Sequence, residues 1–352
     1  MSKKSRLERL LTNASTMTID MKYFVGLILF FSLGQTYAQD EGPRHVYPFG
    51  ERPDLNWASS LGGEKILFEA NPIVRYAFYD NIVRNFDSNA PWGVSAFIEA
   101  RPQLRMYVQQ SVPVKMPSYR ILLGGNYLYR LPSKHQIGFS LLSGHYSNGQ
   151  SGCPYCDDLP DEADSCYLQY YSFTDTTNLG ALLNRTNGEF STNMTELIVG
   201  FRLNGFGEDD SKPNQILSFK AGWTIFHDKF LGVLPFGGYK DDDTSAFADF
   251  DIDIYRRHRI QLGLEYSRMF NNQSTFVAGL DYRNMIGAKY QINPNRLVAS
   301  VRWYHKCDFG YFMKFIYGHD DYNIRFLDSG FQFRVGISWN TNPHIKIKGA
   351  DN

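Results

Sequence analysis

The chain of 352 residues lacks several things that would place it quickly. No apolar run reaches the ~18 residues a membrane-crossing helix needs. Charge is missing too: 36 basic side chains balance 36 acidic ones. That removes the electrostatic case for nucleic acid, which favours a basic face. Cysteines number only 4, and mean hydropathy is low at −0.36. What is abundant is aromatic and small: 27 Phe, 23 Tyr and 30 Gly. Aromatic-rich, glycine-rich and polar on average is the composition of a membrane-spanning barrel, in which only alternate residues meet lipid.

Met21-Lys22 precedes the apolar run from Tyr23 to Leu33, and Gln35-Thr36-Tyr37-Ala38 then ends on a small residue. This predicts a secretory leader over residues 1–38, with Met21 as the true start and cleavage after Ala38. Residues 39–339 are expected to form one barrel domain and 340–352 a polar tail.

Within the barrel region, alternating segments recur between turn residues. They predict strands near Lys65–Tyr79, Trp92–Gln109, Tyr119–Leu131, His135–Ser147, Ser191–Leu203, Gln215–Phe226, Phe247–Phe270, Ser274–Met285, Arg296–His305, Phe309–Tyr317 and Gly330–Trp339. The Phe247–Phe270 segment has a natural break at Arg256-Arg257-His258. An irregular strand before Leu61 brings the number to about twelve, and bacterial single-chain barrels have even counts. Phe331, Phe333, Val335, Ile337 and Trp339 oppose Gln332, Arg334, Gly336 and Ser338, so one face is apolar and the other suits a polar lumen. The expected fold is all-β: an antiparallel transmembrane β-barrel of about twelve strands, multi-pass in the bacterial outer membrane. Short turns at Ser133-Lys134 and Asn271-Asn272-Gln273 belong to the inner side. The long polar stretch from Gly149 to Phe190 belongs outside.

One stretch stands out, Ile137 to Ser151. Ile137, Phe139 and Leu141 share a face, and the same parity runs on to His145 and Ser147. A serine hydroxyl is a weak nucleophile until a base takes its proton, and that base needs a group to fix its tautomer. His145 and Ser147 supply the first two parts. In the next strand the apolar parity of Leu197, Val199, Phe201 and Leu203, followed backwards, reaches Thr195 and Asn193. A polar side chain aimed at lipid is costly without a purpose. Asparagine is a known third member of such triads.

His145-Tyr146-Ser147-Asn148-Gly149-Gln150-Ser151 resembles the His-x-Ser-Asn-Gly-x-Ser segment of the outer-membrane phospholipase A family. Ser111-Val112-Pro113 and the strand after Tyr119 resemble that family's Ser-x-Pro loop and its following strand. The stretches Tyr317-Gly318 to Tyr322-Asn323 and Arg334 to Ile337 resemble its last two strands. The resemblance implies a twelve-stranded barrel that hydrolyses the acyl esters of membrane phospholipid. It implies Ser147 as nucleophile, His145 as base, Asn193 as orienter and the Gly149 amide at the oxyanion site. It also implies Ca2+ held in part by Ser111 and the carbonyl of Gln150, and a homodimer as the active form.

Two rivals stand beside this reading. One is a non-catalytic barrel, either a small-solute channel or a component of envelope assembly. The other is a barrel that deacylates lipopolysaccharide with similar chemistry. Of the cysteines, Cys153, Cys156 and Cys166 are expected to contain one loop disulfide, with the pairing open, and Cys307 sits at an inner turn too far away to join. The acidic run Asp157, Asp158, Asp161, Glu162 and Asp164 offers oxygens to a cation, with Ser151 or Asp157 as a candidate further calcium ligand, but such a run is usually a solvated loop.

Overall fold

The computed structural model describes residues 51–339, apart from 62–65, 89, 109–113, 151, 157–163, 207–212, 232, 235–251, 253, 271–273, 290, 306–308 and 325. The leader, the C-terminal tail, Ser111 and Cys307 therefore lie outside the described residues.

The strands are β1 (Asp54–Leu61), β2 (Ile66–Asn71), β3 (Val74–Asp80), β4 (Trp92–Tyr107), β5 (Val114–Arg130), β6 (Gln136–Ser147), β7 (Ser191–Phe206), β8 (Pro213–His227), β9 (His258–Met269), β10 (Thr275–Met285), β11 (Asn295–Tyr304), β12 (Phe309–His319) and β13 (Ser329–Trp339). Each pairs antiparallel with its neighbours, and β1 pairs with β13. Both β2 and β3 pair with β4. They do so in one register, Ala70 opposite Leu104 and Val74 opposite Ala100. Pro72 stands between them and has no N–H to give to a ladder. The two pieces are one interrupted stave, so the barrel closes with twelve staves.

Several boundaries differ from the sequence reading: β5 begins at Val114 rather than Tyr119, and β7 runs to Phe206 rather than Leu203. Of the expected Phe247–Phe270 strand, residues 247–251 and 253 lie outside the described residues, and β9 begins at His258. Arg256 just before it has a positive φ of 60°, which stops an extended run. The strand expected to end at Gln109 stops at Tyr107.

Alternation sorts the side chains as expected. Phe139, Leu141, Leu197, Val199, Phe219, Leu262, Leu280, Val301, Phe315 and Val335 are exposed on the outer wall. The even positions of β6, and of β7 as far as Asn204, are buried. Charge fills the lumen. Arg105 and Arg334 are fully buried there, and both bond Glu69. Arg105 also grips Asp320, at 3.0 Å through Nη2. Arg75 and Arg101 share Glu99. Before β1 the chain joins this network: Glu51 reaches Arg120 and Arg283, and Arg52 reaches Glu265.

The β6–β7 connection is not the plain polar loop its sequence suggests. It carries two short helices, α1 (Asp164–Tyr171) and α2 (Leu179–Leu182). Its Cys153, Tyr155, Leu179 and Phe190 are buried with Tyr146, Phe226, Tyr255, Ile324 and Phe326 in one apolar cluster. Cys153 and Cys166 form the disulfide, and Cys156 is free.

Among the described residues no helix is long and apolar enough to cross a membrane. The strands are the crossing elements. A closed ladder leaves backbone groups satisfied, and the apolar wall faces lipid.

Candidate functional site

Register decides where the polar residues of the outer wall meet. His145 on β6 stands directly opposite Asn193 on β7, and Asn193 stands opposite His227 on β8. One row nearer the loop end, Ser147 faces Ser191. One row further down, Ser143 faces Thr195. Partners across an antiparallel ladder share a face. All seven side chains therefore belong to the outward face, as the shared parity of His145, Ser147 and Asn193 predicts.

Asn193 Oδ1 lies 3.3 Å from His145 Nδ1. The amide is oriented from its other end: Nδ2 donates to the main-chain oxygen of Asp228 at 3.4 Å. With Nδ2 so committed, Oδ1 is the atom that faces the imidazole. His145 Nδ1–H then donates to it, and Nε2 keeps the lone pair that a base needs. Asp228 is itself held by Arg257, whose Nη1 and Nη2 reach the two carboxylate oxygens at 3.1 and 3.2 Å.

At Nε2 the structure departs from the sequence reading. The hydroxyl beside it is Ser191 Oγ, at 3.5 Å, rather than Ser147. Ser147 is the cross-strand neighbour of Ser191, on the same wall and two residues along β6 from the histidine. Of the two serines, Ser191 is the one whose hydroxyl meets the imidazole. Parity along β7 already contains Ser191, one step beyond Asn193, but only the register of β6 against β7 shows that it meets His145.

A second imidazole was not singled out by sequence either. His227 Nε2 lies 2.8 Å from Thr195 Oγ1, which lies 2.7 Å from Ser143 Oγ. This chain closes the row below Asn193. Together with His145 and Asp228 it encloses the asparagine, which is 0% exposed although it faces outward. On the far side of β6, Tyr119 and Ile121 of β5 stand opposite Ser147 and His145, and both are exposed. Apolar surface therefore borders the serines.

The turn after Ser147 is built by Asn148. Its Oδ1 accepts from the amides of Phe190 at 3.1 Å and Gln150 at 3.3 Å, and its Nδ2 donates to the carbonyl of Gly188. Gly149 takes a left-handed φ of 61°, with open space where a side chain would begin. Glycine reaches that conformation at no steric cost.

The calcium ligands implied by the resemblance are met only in part. Gln150 sits beside this turn, while Ser111 is outside the described residues. Among the described residues no group of three or more His, Cys, Asp or Glu side chains could hold a metal ion. Calcium takes six to eight oxygens, usually with carboxylates among them. Among the described residues, the serines and the Gln150 carbonyl alone do not amount to such a cage, and Ser111 lies outside them.

A closed barrel with an apolar exterior and a polar interior is a multi-pass protein of the bacterial outer membrane, and this one carries a hydroxyl–imidazole–amide cluster on its lipid side. No family model and no curated protein matches the chain. Among solved structures it is similar to the outer membrane phospholipase (OMPLA) dimer with bound calcium from Salmonella typhi, at 11% identity over 86% of this chain and 96% of that one, TM-score 0.48. Outer membrane phospholipase A from Escherichia coli is 10% identical over 85% and 99%, TM-score 0.48. The NanC porin is 10% identical over 82% and 98%, TM-score 0.38. Likeness at this level carries no weight for chemistry, which rests on the wall itself.

Proposed function

We propose that this barrel is a lipid-ester hydrolase that attacks acyl esters of membrane phospholipid from its outer wall. The observation that carries the reading is the contact of Asn193 Oδ1 with His145 Nδ1, with the Ser191 hydroxyl at Nε2 on the opposite side of the ring and Ser147 across the ladder from that serine. On this proposal Ser147 is the nucleophile. Its proton passes to His145 Nε2 as Oγ bonds the ester carbon. The same proton then leaves with the alcohol oxygen as the ester C–O bond breaks. Water repeats the sequence to free the fatty acid. Asn193 holds the tautomer throughout. The main-chain N–H of Gly149 is the proposed oxyanion donor. Neutral Asn193 stabilises the imidazolium less than a carboxylate would, so a modest rate is expected.

The position on the wall supports a lipid substrate over a soluble one. An acyl chain can lie along exposed Tyr119, Ile121 and Leu141 while its ester reaches the serines. A channel or an envelope-assembly barrel is the alternative. The ion-paired lumen and the apolar cluster over its loop end favour the wall as the working surface. A lipopolysaccharide deacylase would use the same residues and differs in its product.

The test is fatty-acid release from phosphatidylethanolamine by detergent-solubilised protein, with S147A and H145A beside it. Release that is equal in all three rejects the reading, and conductance in planar bilayers would then support the channel. Calcium dependence and a homodimer belong to the proposal through the resemblance. Dialysis against EDTA with calcium add-back tests the first, and cross-linking in detergent tests the second.

A further inference from the structure

Ser191 is not the nucleophile of the proposed function, yet its hydroxyl is the one beside the imidazole. It opens β7, stands opposite Ser147 in the ladder and lies 3.5 Å from His145 Nε2. Its contact is on the ring nitrogen that Asn193 leaves free. Asn193, His145 and Ser191 thus already form a continuous line of amide, imidazole and hydroxyl. The other hydroxyls of this wall are engaged elsewhere: Ser143 and Thr195 bond each other, and Thr195 bonds His227. Distances between a serine and its base are commonly long before substrate binds and shorten in the complex.

We infer that Ser191 is a second nucleophile of the site, sharing His145 with Ser147, so that either hydroxyl can carry the acyl group. This rests on the hydrolase reading and goes beyond it. The step needs nothing else. Ser191 Oγ bonds the ester carbon, its proton moves to Nε2, and the C–O bond to the alcohol breaks with that proton on the leaving oxygen. Water then bonds the acyl carbon, the bond to Oγ breaks, and the proton returns to Ser191 through Nε2. Because the serines are neighbours across one ladder rung, an ester placed for one needs only a small shift to meet the other.

The experiment uses the full-length barrel in detergent, treated with hexadecanesulfonyl fluoride and mapped by peptide mass spectrometry. Wild type, S147A, S191A, the double variant and H145A are compared, each checked for a folded barrel by heat-modifiable migration. The expected result is label on Ser191 in S147A, forming about ten- to a hundredfold more slowly than in wild type but well above the double variant. Fatty-acid release should follow the same order. If wild type reacts while S147A is as inert as the double variant, Ser191 is no nucleophile and the inference falls, with the hydrolase reading intact. If wild type itself neither reacts nor releases fatty acid, the hydrolase reading falls and this inference with it.

Discussion

Asn193 lies directly across the ladder from His145, pointing out of the barrel, and is nonetheless wholly buried. Polar neighbours, not lipid, enclose it: His145 on one side, His227 on the other and the Asp228 carbonyl at its amide end. An amide on the outer wall would otherwise carry a heavy desolvation cost.

Removal of that amide therefore has a defined effect. N193A leaves His145 Nδ1 without its acceptor and lets the ring choose the wrong tautomer. On the proposed function, kcat should fall roughly ten- to a hundredfold, about 1.4–2.7 kcal/mol of barrier. KM should move little, because Asn193 is buried away from any substrate. Steady-state kinetics on a short-chain ester gives both numbers.

The lumen should respond differently. Arg105 is fully buried between Glu69 and Asp320. R105M leaves buried Asp320 without its bonded guanidinium and Glu69 with Arg334 alone, a loss of about 3–5 kcal/mol. Urea titration of the refolded barrel should show a lower midpoint, whereas R257A at the exposed end of the wall should barely move it.

Acid should spare this bracing until late. Burial pushes the Asp320 carboxyl up, but the Arg105 guanidinium outweighs it and holds the group down at about 2. A carboxylate with a depressed folded value contributes its stability above the unfolded value, near 4, and loses it as pH falls towards 2. Stability from this pair should be flat from pH 8 to 5 and decline only below about 4. Unfolding midpoints across that range would check it, and D320N should remove the acid-dependent part.

Reduction should act on the loop alone. The Cys153–Cys166 bridge closes a segment with a sequence separation of 13, and a loop of that size gains about 3 kcal/mol from its cross-link. With dithiothreitol, protease should cut the β6–β7 connection faster while the barrel's heat-modifiable migration stays unchanged. Loss of the barrel itself would contradict this.

Much of this architecture is written in period-two alternation. The outer face of β13 and the parity of His145, Ser147 and Asn193 are local properties, readable without a partner strand. So is the stave over Lys65–Tyr79, which alternates through Pro72, although its interruption there was not expected. What is not local was not legible. Ser191 meets His145 only because β6 and β7 pair in one particular register. The loop reads as polar by composition, yet its few apolar residues gather against Phe226, Tyr255 and Phe326 from distant parts of the chain. The pairing among Cys153, Cys156 and Cys166 likewise depended on the path of that loop.

The segment ahead of β1 makes an assembly marker. Glu51 touches Arg101, Arg120 and Arg283, which stand on β4, β5 and β10, and its bond to Arg283 spans 232 positions. Burial raises its carboxyl, yet those three guanidinium groups prevail and keep it ionised far below the ordinary range. So distant a set of contacts can form only once β10 has come together with β4 and β5, and long-range contacts of this kind are made slowly. A reporter group placed at Glu51 would record when the tenth strand meets the early ones, separately from when the hairpins first enter the bilayer.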